Sequence, residues 1–276
     1  MFCNPYLTNI FFEKIRNSNL SKINLVTAQS DLSISRKVYN SKPNFVMNWY
    51  TTNLRLDKKN LTAIPLGLSD PSVKNLSFKH FIELSDRSIN KTKKIYMNYE
   101  VNTNFYNRVN LIRKYKYNES FVYQESKLEL IDYLKELSTY KYTLSPWGNG
   151  YDTHRFWESI YAGSIPVTKE HLTYSSSKDL PAVLLKNYKN INLDFLENKV
   201  FKMEKFNFDK LTVDFWSDYF HSGLKLKNKN FQKFEFTKSE IKEILSYYKT
   251  TQAKAKRIKN SKTFFRKAYK KILSDG

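Results

Sequence analysis

One cysteine, Cys3, stands in 276 residues, and no Cys/His grouping has metal-site spacing. Intrachain disulfides are thereby excluded, structural zinc is not expected, and a reducing compartment fits. No run of about eighteen apolar residues occurs, and the N-terminus lacks the basic-then-apolar build of a signal peptide. Both absences predict a cytoplasmic protein without a membrane span. There is no internal repeat, and no Asp-x-Asp triplet of the kind that clamps a metal on a diphosphate. Acidic residues are also scarce, 26 against 47 basic ones, for a formal charge of +21. That surplus calls for an anionic partner, whether nucleic acid, a membrane surface or a charged substrate, and does not choose among them.

What is present is enough apolar and aromatic material, 41% and 16%, to bury one large core or two small ones, and the length favours two domains. Helical spacing marks Asn9 to Arg16, Phe105 to Tyr115 and Lys127 to Leu137. Short apolar runs at Ile23 to Ala28, Phe45 to Trp49, Leu61 to Leu66, Lys94 to Asn98, Lys141 to Leu144, Ser164 to Thr168 and Ala182 to Leu185 read as buried strands. Alternation of the two predicts parallel sheets in an α/β fold. The polar stretch Ser69 to Thr92, with one helix over Asn75 to Leu84, reads as a linker. Residues 1–90 then form a reduced first domain and 91–205 a second. Residues 206–276 form a helical basic segment, with helices at Asp209 to Phe220, Ser239 to Tyr248 and Ala253 to Ile272.

The most informative run is Leu144-Ser145-Pro146-Trp147-Gly148-Asn149-Gly150-Tyr151-Asp152-Thr153-His154-Arg155-Phe156-Trp157-Glu158. Gly148 and Gly150 let backbone approach a ligand, and Asp152 is a good N-cap for a helix over Thr153 to Ala162. Phe156, Trp157, Ile160 and Tyr161 fall on one arc of that helix, the core side. His154, Arg155, Glu158, Ser159 and Ala162 fall on the other, facing chemistry or solvent. Cations in a first helical turn oppose the helix dipole, a conflict that a bound phosphate resolves. Strand, glycine-rich loop, helix and strand together make half of a nucleotide-binding unit.

This run, continued by Gly163-Ser164-Ile165-Pro166-Val167, resembles the exostosin-type glycosyltransferases, whose pattern is close to S-P-R-G-N-G-x-D-x-H-R-x-W-E followed by G-x-I-P-V. Ile95-Tyr96-Met97-Asn98-Tyr99 with Asn102-Thr103-Asn104 and Arg108, and Leu180-Pro181 before Ala182-Val183-Leu184-Leu185, extend the likeness over about Lys93 to Ile191. Trp147 departs from it, standing where the family has arginine. The resemblance implies a GT-B-like fold of two facing Rossmann-like domains. It also implies transfer from a nucleotide-diphosphate sugar to a glycan or other hydroxyl acceptor, by inversion, with the nucleotide-sugar as co-substrate and no cofactor or metal.

Within that reading, donor-binding candidates are Asn102, Arg108, Asn149, Gly150, Asp152, Arg155 and Glu158. Arg155, Arg108 and the loop amides near Asn149 and Gly150 would meet the diphosphate, and Glu158 resembles the family carboxylate that accepts from ribose. Asp31, after a strand of the first domain, and His154 are the catalytic candidates. Each has a plain structural alternative: Glu158 paired with Arg155 or His154, Asp152 as a cap, Asn102 as a turn. Lys254, Lys256, Arg257, Lys259, Lys262, Arg266, Lys267, Lys270 and Lys271 around Phe264, Phe265, Tyr269 and Ile272 resemble a basic amphipathic helix suited to anionic lipid, or simply a solvated face. A basic nucleic-acid-binding protein is the competing class, disfavoured because no nucleic-acid module is visible. A catalytically inactive nucleotide-binding relative is the other.

Overall fold

Two separate parallel sheets organise the chain in the computed structural model, which describes residues 1–69, 91–125, 128–198, 206–222, 237–250 and 253. The first sheet runs β1 (Phe2–Cys3), β2 (Ile23–Thr27), β3 (Val46–Thr51) and β4 (Leu61–Ala63), in that order. Helices α1 (Thr8–Arg16) and α2 (Arg36–Asn40) link its first three strands. Thr8, Phe12 and Ile15 fall on one face of α1 and are its buried residues. The Ser35 hydroxyl accepts from Val38 N at 3.2 Å and so starts α2. Strands β2 and β3 are mostly buried, as parallel strands are, and rich in apolar residues. The polar exceptions pair internally: Trp49 Nε1 donates to Thr27 Oγ1 at 2.9 Å, and Thr27 in turn bonds Thr51.

The second sheet is ordered β6-β5-β7-β8-β9. Its elements are β5 (Thr92–Met97), α3 (Phe105–Tyr115), β6 (Phe121–Tyr123), α4 (Leu130–Ser138), β7 (Tyr140–Leu144), α5 (His154–Tyr161), β8 (Ile165–Lys169) and β9 (Val183–Leu185). From β5 the chain goes to one side for β6 and to the other for β7, so the order reverses between β5 and β7. The crevice at such a switch point, beyond the carboxyl ends of the strands, is where open α/β sheets take ligands. Ile95, Met97, Tyr142, Leu144, Val167 and Leu196, the last from α6 (Leu193–Glu197), fill the core on one face.

After the second sheet the chain returns to the first. Helix α7 (Val213–His221) places Phe220 against Tyr50, ring centroids 4.7 Å apart, and Asn24 Nδ2 donates to the Phe220 carbonyl at 2.6 Å. The helix over 238–250 meets α1 through a Lys14–Glu240 ion pair.

Several elements differ from the sequence reading. Strand β4 ends at Ala63 rather than Leu66 because Pro65 has no N–H to donate and the Leu66 N–H turns to Asp152. The helix expected from Asp209 is interrupted at Thr212, whose hydroxyl caps α7 by accepting from Phe215 N. Strands β1 and β6 and the short helices α2 and α6 are additions, too brief to show periodicity. The helix expected over Asn75–Leu84, residues 254–272 of the helix expected from Ala253 with their basic cluster, and the linker between Ser69 and Lys91 lie outside the described residues. Among the described residues no helix is long and apolar enough to cross a membrane.

Candidate functional site

The loop between β7 and α5 is held open by buried side chains that bind its backbone. Arg108 on α3, 4% exposed, donates Nε to the Trp147 carbonyl at 3.0 Å, Nη2 to Pro146 at 2.8 Å and Nη1 to Glu100 at 2.6 Å. Desolvation, with Arg155 nearby, lowers its pKa to about 10, yet three carbonyls fix the charge in place. Gly148 sits against it; a Cβ there would stand 3.2 Å from Nη2.

The far end of the loop is fastened to the first sheet. Asp152 is 2% exposed, and its carboxylate accepts from Leu66 N, Thr153 N and Trp157 Nε1, each at 2.9 Å. Burial pushes the carboxyl up to about 7, against the pull of those three donors. Asp152 N donates to Asn53 Oδ1 at 2.8 Å, and Asn53 occupies the left-handed region at φ 53°. Gly150 packs so closely on that amide that a Cβ would lie 2.4 Å from Oδ1.

Between these supports lies a cavity of about 780 Å³. Asn98 and Tyr99 beyond β5, Tyr123 at the end of β6, Gly148 and Asn149 beyond β7, and His154, Arg155 and Glu158 on α5 line it, so it opens at the switch point of the second sheet. Asp31 and Leu66 reach it from the first. Helix α5 has Thr153 as N-cap with no side-chain bond to its amides, and Thr153 Oγ1 is buried without a partner. Arg155 lies over the rings of Tyr99 and Tyr133, 5.8 and 5.7 Å from their centroids, with its Nε buried and unpartnered. Glu158, 5% exposed, makes no ion pair with Arg155 or His154. His154 Nδ1 lies 2.8 Å from the Gly67 carbonyl. A carbonyl can only accept, so Nδ1 donates to it, which leaves Nε2 as the ring nitrogen not committed to Gly67.

Residues 92–203 match the family model of the RXYLT1 C-terminal domain. This is an exostosin-like glycosyltransferase family, in agreement with the resemblance carried by the sequence. The matched segment holds the whole second sheet, α3 to α5 and the loop between β7 and α5. It covers less than half of the chain. Among curated proteins no sequence matches.

Within the matched segment, the cavity brings together Asn149, Arg155, Glu158, Asp152, His154 and Arg108, with Asp31 added from outside it. Four expectations need correction. Asp152 is not the N-cap but a brace between the two sheets, its oxygens taken by three N–H groups. Arg108 is spent on loop carbonyls and shapes the site rather than reaching freely into it. Gly150 and Asn102 are not on the wall: Gly150 serves the approach of Asn53, and Asn102 lies in a 3-10 turn whose neighbours Val101 and Thr103 line the cavity instead.

Of the arc of α5 assigned to chemistry or solvent, Glu158, Ser159 and Ala162 are buried, while His154 and Arg155 are half-buried. Tyr99, Tyr133 and Thr153 belong to the wall and were not singled out by sequence. Tyr99 carried a usable signal, lying two residues past a strand end; Tyr133, on a helix of apolar spacing, carried none. Among the described residues no three His, Cys, Asp or Glu side chains group as metal ligands.

Proposed function

We propose that this cavity binds a nucleotide-diphosphate sugar and that the protein transfers the sugar to a hydroxyl of a glycan or similar acceptor, in a GT-B-like arrangement. The observation that carries the reading is the position of Arg155 and Glu158 on α5, unpaired with each other, at the switch point of a sheet of glycosyltransferase family. The wall bears both signs of charge, which suits a ligand with an anionic diphosphate and hydroxyl-bearing sugars. Arg155 and the uncapped start of α5 take the diphosphate, where negative charge grows as the bond to the sugar breaks. Glu158 accepts from ribose hydroxyls.

Deprotonation of the acceptor falls to a group facing the sugar. Asp31 stands across the cavity from α5, and His154 offers Nε2 on α5 itself. An inverting displacement uses one of them as base. With no Asp-x-Asp clamp in the sequence, turnover should survive chelation by EDTA. Cytoplasmic placement and contact of the C-terminal basic cluster with an anionic surface are proposed from sequence alone.

Calorimetric titration with a panel of nucleoside diphosphates and their sugars, followed by product analysis, tests the reading. Glu158→Ala should weaken donor binding by about 1–3 kcal/mol, the scale for stripping a partner from buried polar groups. Unchanged affinity would remove Glu158 from the donor site. Arg155→Ala should chiefly lower the rate.

A further inference from the structure

Tyr133 is a buried polar side chain of this cavity to which nucleotide-sugar binding as described assigns no task. It is 7% exposed, lies in the first turns of α4 and lines the cavity beside α5. Its hydroxyl lies against Arg155 and Glu158, yet it forms no hydrogen bond of good geometry with any group. Burial pushes the phenol above its ordinary range, against the pull of the Arg155 charge and with a further push from Glu158, so the group remains an O–H donor. If packing against Leu134, Leu137 and Tyr96 were its whole purpose, phenylalanine would serve without a buried hydroxyl lacking a partner.

A carboxylate such as Glu158 can only accept, and it satisfies the hydrogens of sugar hydroxyls but not their oxygens. A donor set beside it supplies what the carboxylate cannot. We propose that the Tyr133 hydroxyl and the Glu158 carboxylate together read the ribose diol of the nucleotide, Tyr133 donating to a hydroxyl oxygen whose hydrogen Glu158 accepts. The inference rests on the nucleotide reading of the cavity and deepens it: Tyr133 helps to reject 2′- and 3′-deoxy forms. Tyr99 differs in position, held between the guanidinium groups of Arg108 and Arg155 at 5.4 and 5.8 Å, and is left to support those charges.

The test is a binding cycle on the full chain. Affinities of the wild type and Tyr133→Phe are measured calorimetrically for the tightest nucleoside diphosphate of a panel and for its 2′-deoxy and 3′-deoxy analogues. The wild type should prefer the ribonucleotide by about tenfold or more over at least one analogue, as expected where a site is built around a hydroxyl. Tyr133→Phe should reduce that preference to about twofold, mostly by weakening the ribonucleotide, while the thermal midpoint stays near that of the wild type. Equal weakening of ribo- and deoxynucleotides, or an unchanged preference, would overturn the role of Tyr133 and leave the nucleotide site standing. A wild type that binds no nucleoside diphosphate would overturn both.

Discussion

The Asp152 carboxylate accepts from the backbone N–H of Leu66 at 2.9 Å, and this single bond joins the loop that opens α5 to the chain leaving the first sheet. Asn53 reinforces it through Asp152 N, and His154 through the Gly67 carbonyl. The residues that shape the cavity from the second sheet are therefore held in register with Asp31 and Leu66 from the first. A site between two sheets works only while that register lasts.

Asp152 should leave a signature in the pH dependence of stability. Its folded pKa is about 7, well above that of an exposed aspartate, so the folded chain holds a proton that the unfolded chain releases near pH 4. The sign follows: this contribution favours folding most below about pH 4, fades as pH rises from about 4 to about 7, and is constant beyond. Asp152→Asn should abolish that decline in urea midpoints measured across the window. Asp152→Ala, which leaves three N–H donors without an acceptor, should destabilise the chain by at least about 1–3 kcal/mol at any pH.

Gly150 is required by the approach of Asn53 rather than by a turn. Gly150→Ala would press a methyl onto the Asn53 amide, which must then shift and loosen its bond to Asp152 N. Overpacking of this kind costs about 1–3 kcal/mol. Asn53→Gly removes the opposing amide and tolerates the left-handed φ, so the double variant should be less destabilised than the sum of the singles. Thermal unfolding of the four proteins measures the coupling.

Much of the second sheet was legible because its signals were local. Phe105 to Tyr115 is a helix from first residue to last, as its spacing predicts, and Phe156 and Trp157 are core as their arc requires. The wall position of Arg155, Glu158 and His154 followed from a loop-to-helix motif that specifies its own geometry. The roles of Asp152, Arg108 and Gly150 did not follow, because each is defined by a partner far away in sequence: Leu66, the carbonyls of Pro146 and Trp147, and Asn53. Composition and periodicity report which face of an element is buried, not which distant backbone group arrives there. For the same reason Asp152 at the start of a helix read as a cap although Thr153 holds that position.

Arg108 tests whether shaping the loop matters as much as contacting the ligand. Arg108→Lys keeps a positive charge but replaces a three-way fork by one ammonium, which cannot reach the carbonyls of Glu100, Pro146 and Trp147 together. Losing bonds from a charged donor to buried acceptors should lower stability by about 1.5–3 kcal/mol. Donor affinity should fall as well, though the charge is retained. Unchanged unfolding with weakened binding would instead mark Arg108 as a direct ligand contact.

His171 provides the opposite pH signature to Asp152 in nearly the same window, and the pair makes each assignment separable. Its ring stacks on Tyr151 at 3.8 Å and accepts from Thr173 N through Nδ1. Desolvation, then the charges of Arg55 and Lys169, lower its pKa to about 4. The unfolded chain therefore binds a proton near pH 6.5 that the folded chain refuses, so stability is lost as pH falls from about 6.5 to about 4. His171→Phe keeps a ring on Tyr151 and cannot titrate, and should remove this loss. In the wild type the two contributions oppose each other. Asp152→Asn alone should steepen the destabilisation on acidification, and His171→Phe alone should reverse or flatten it. The double variant should return to the background slope set by the remaining groups, and non-additive slopes would show that the two residues titrate as one unit across the loop.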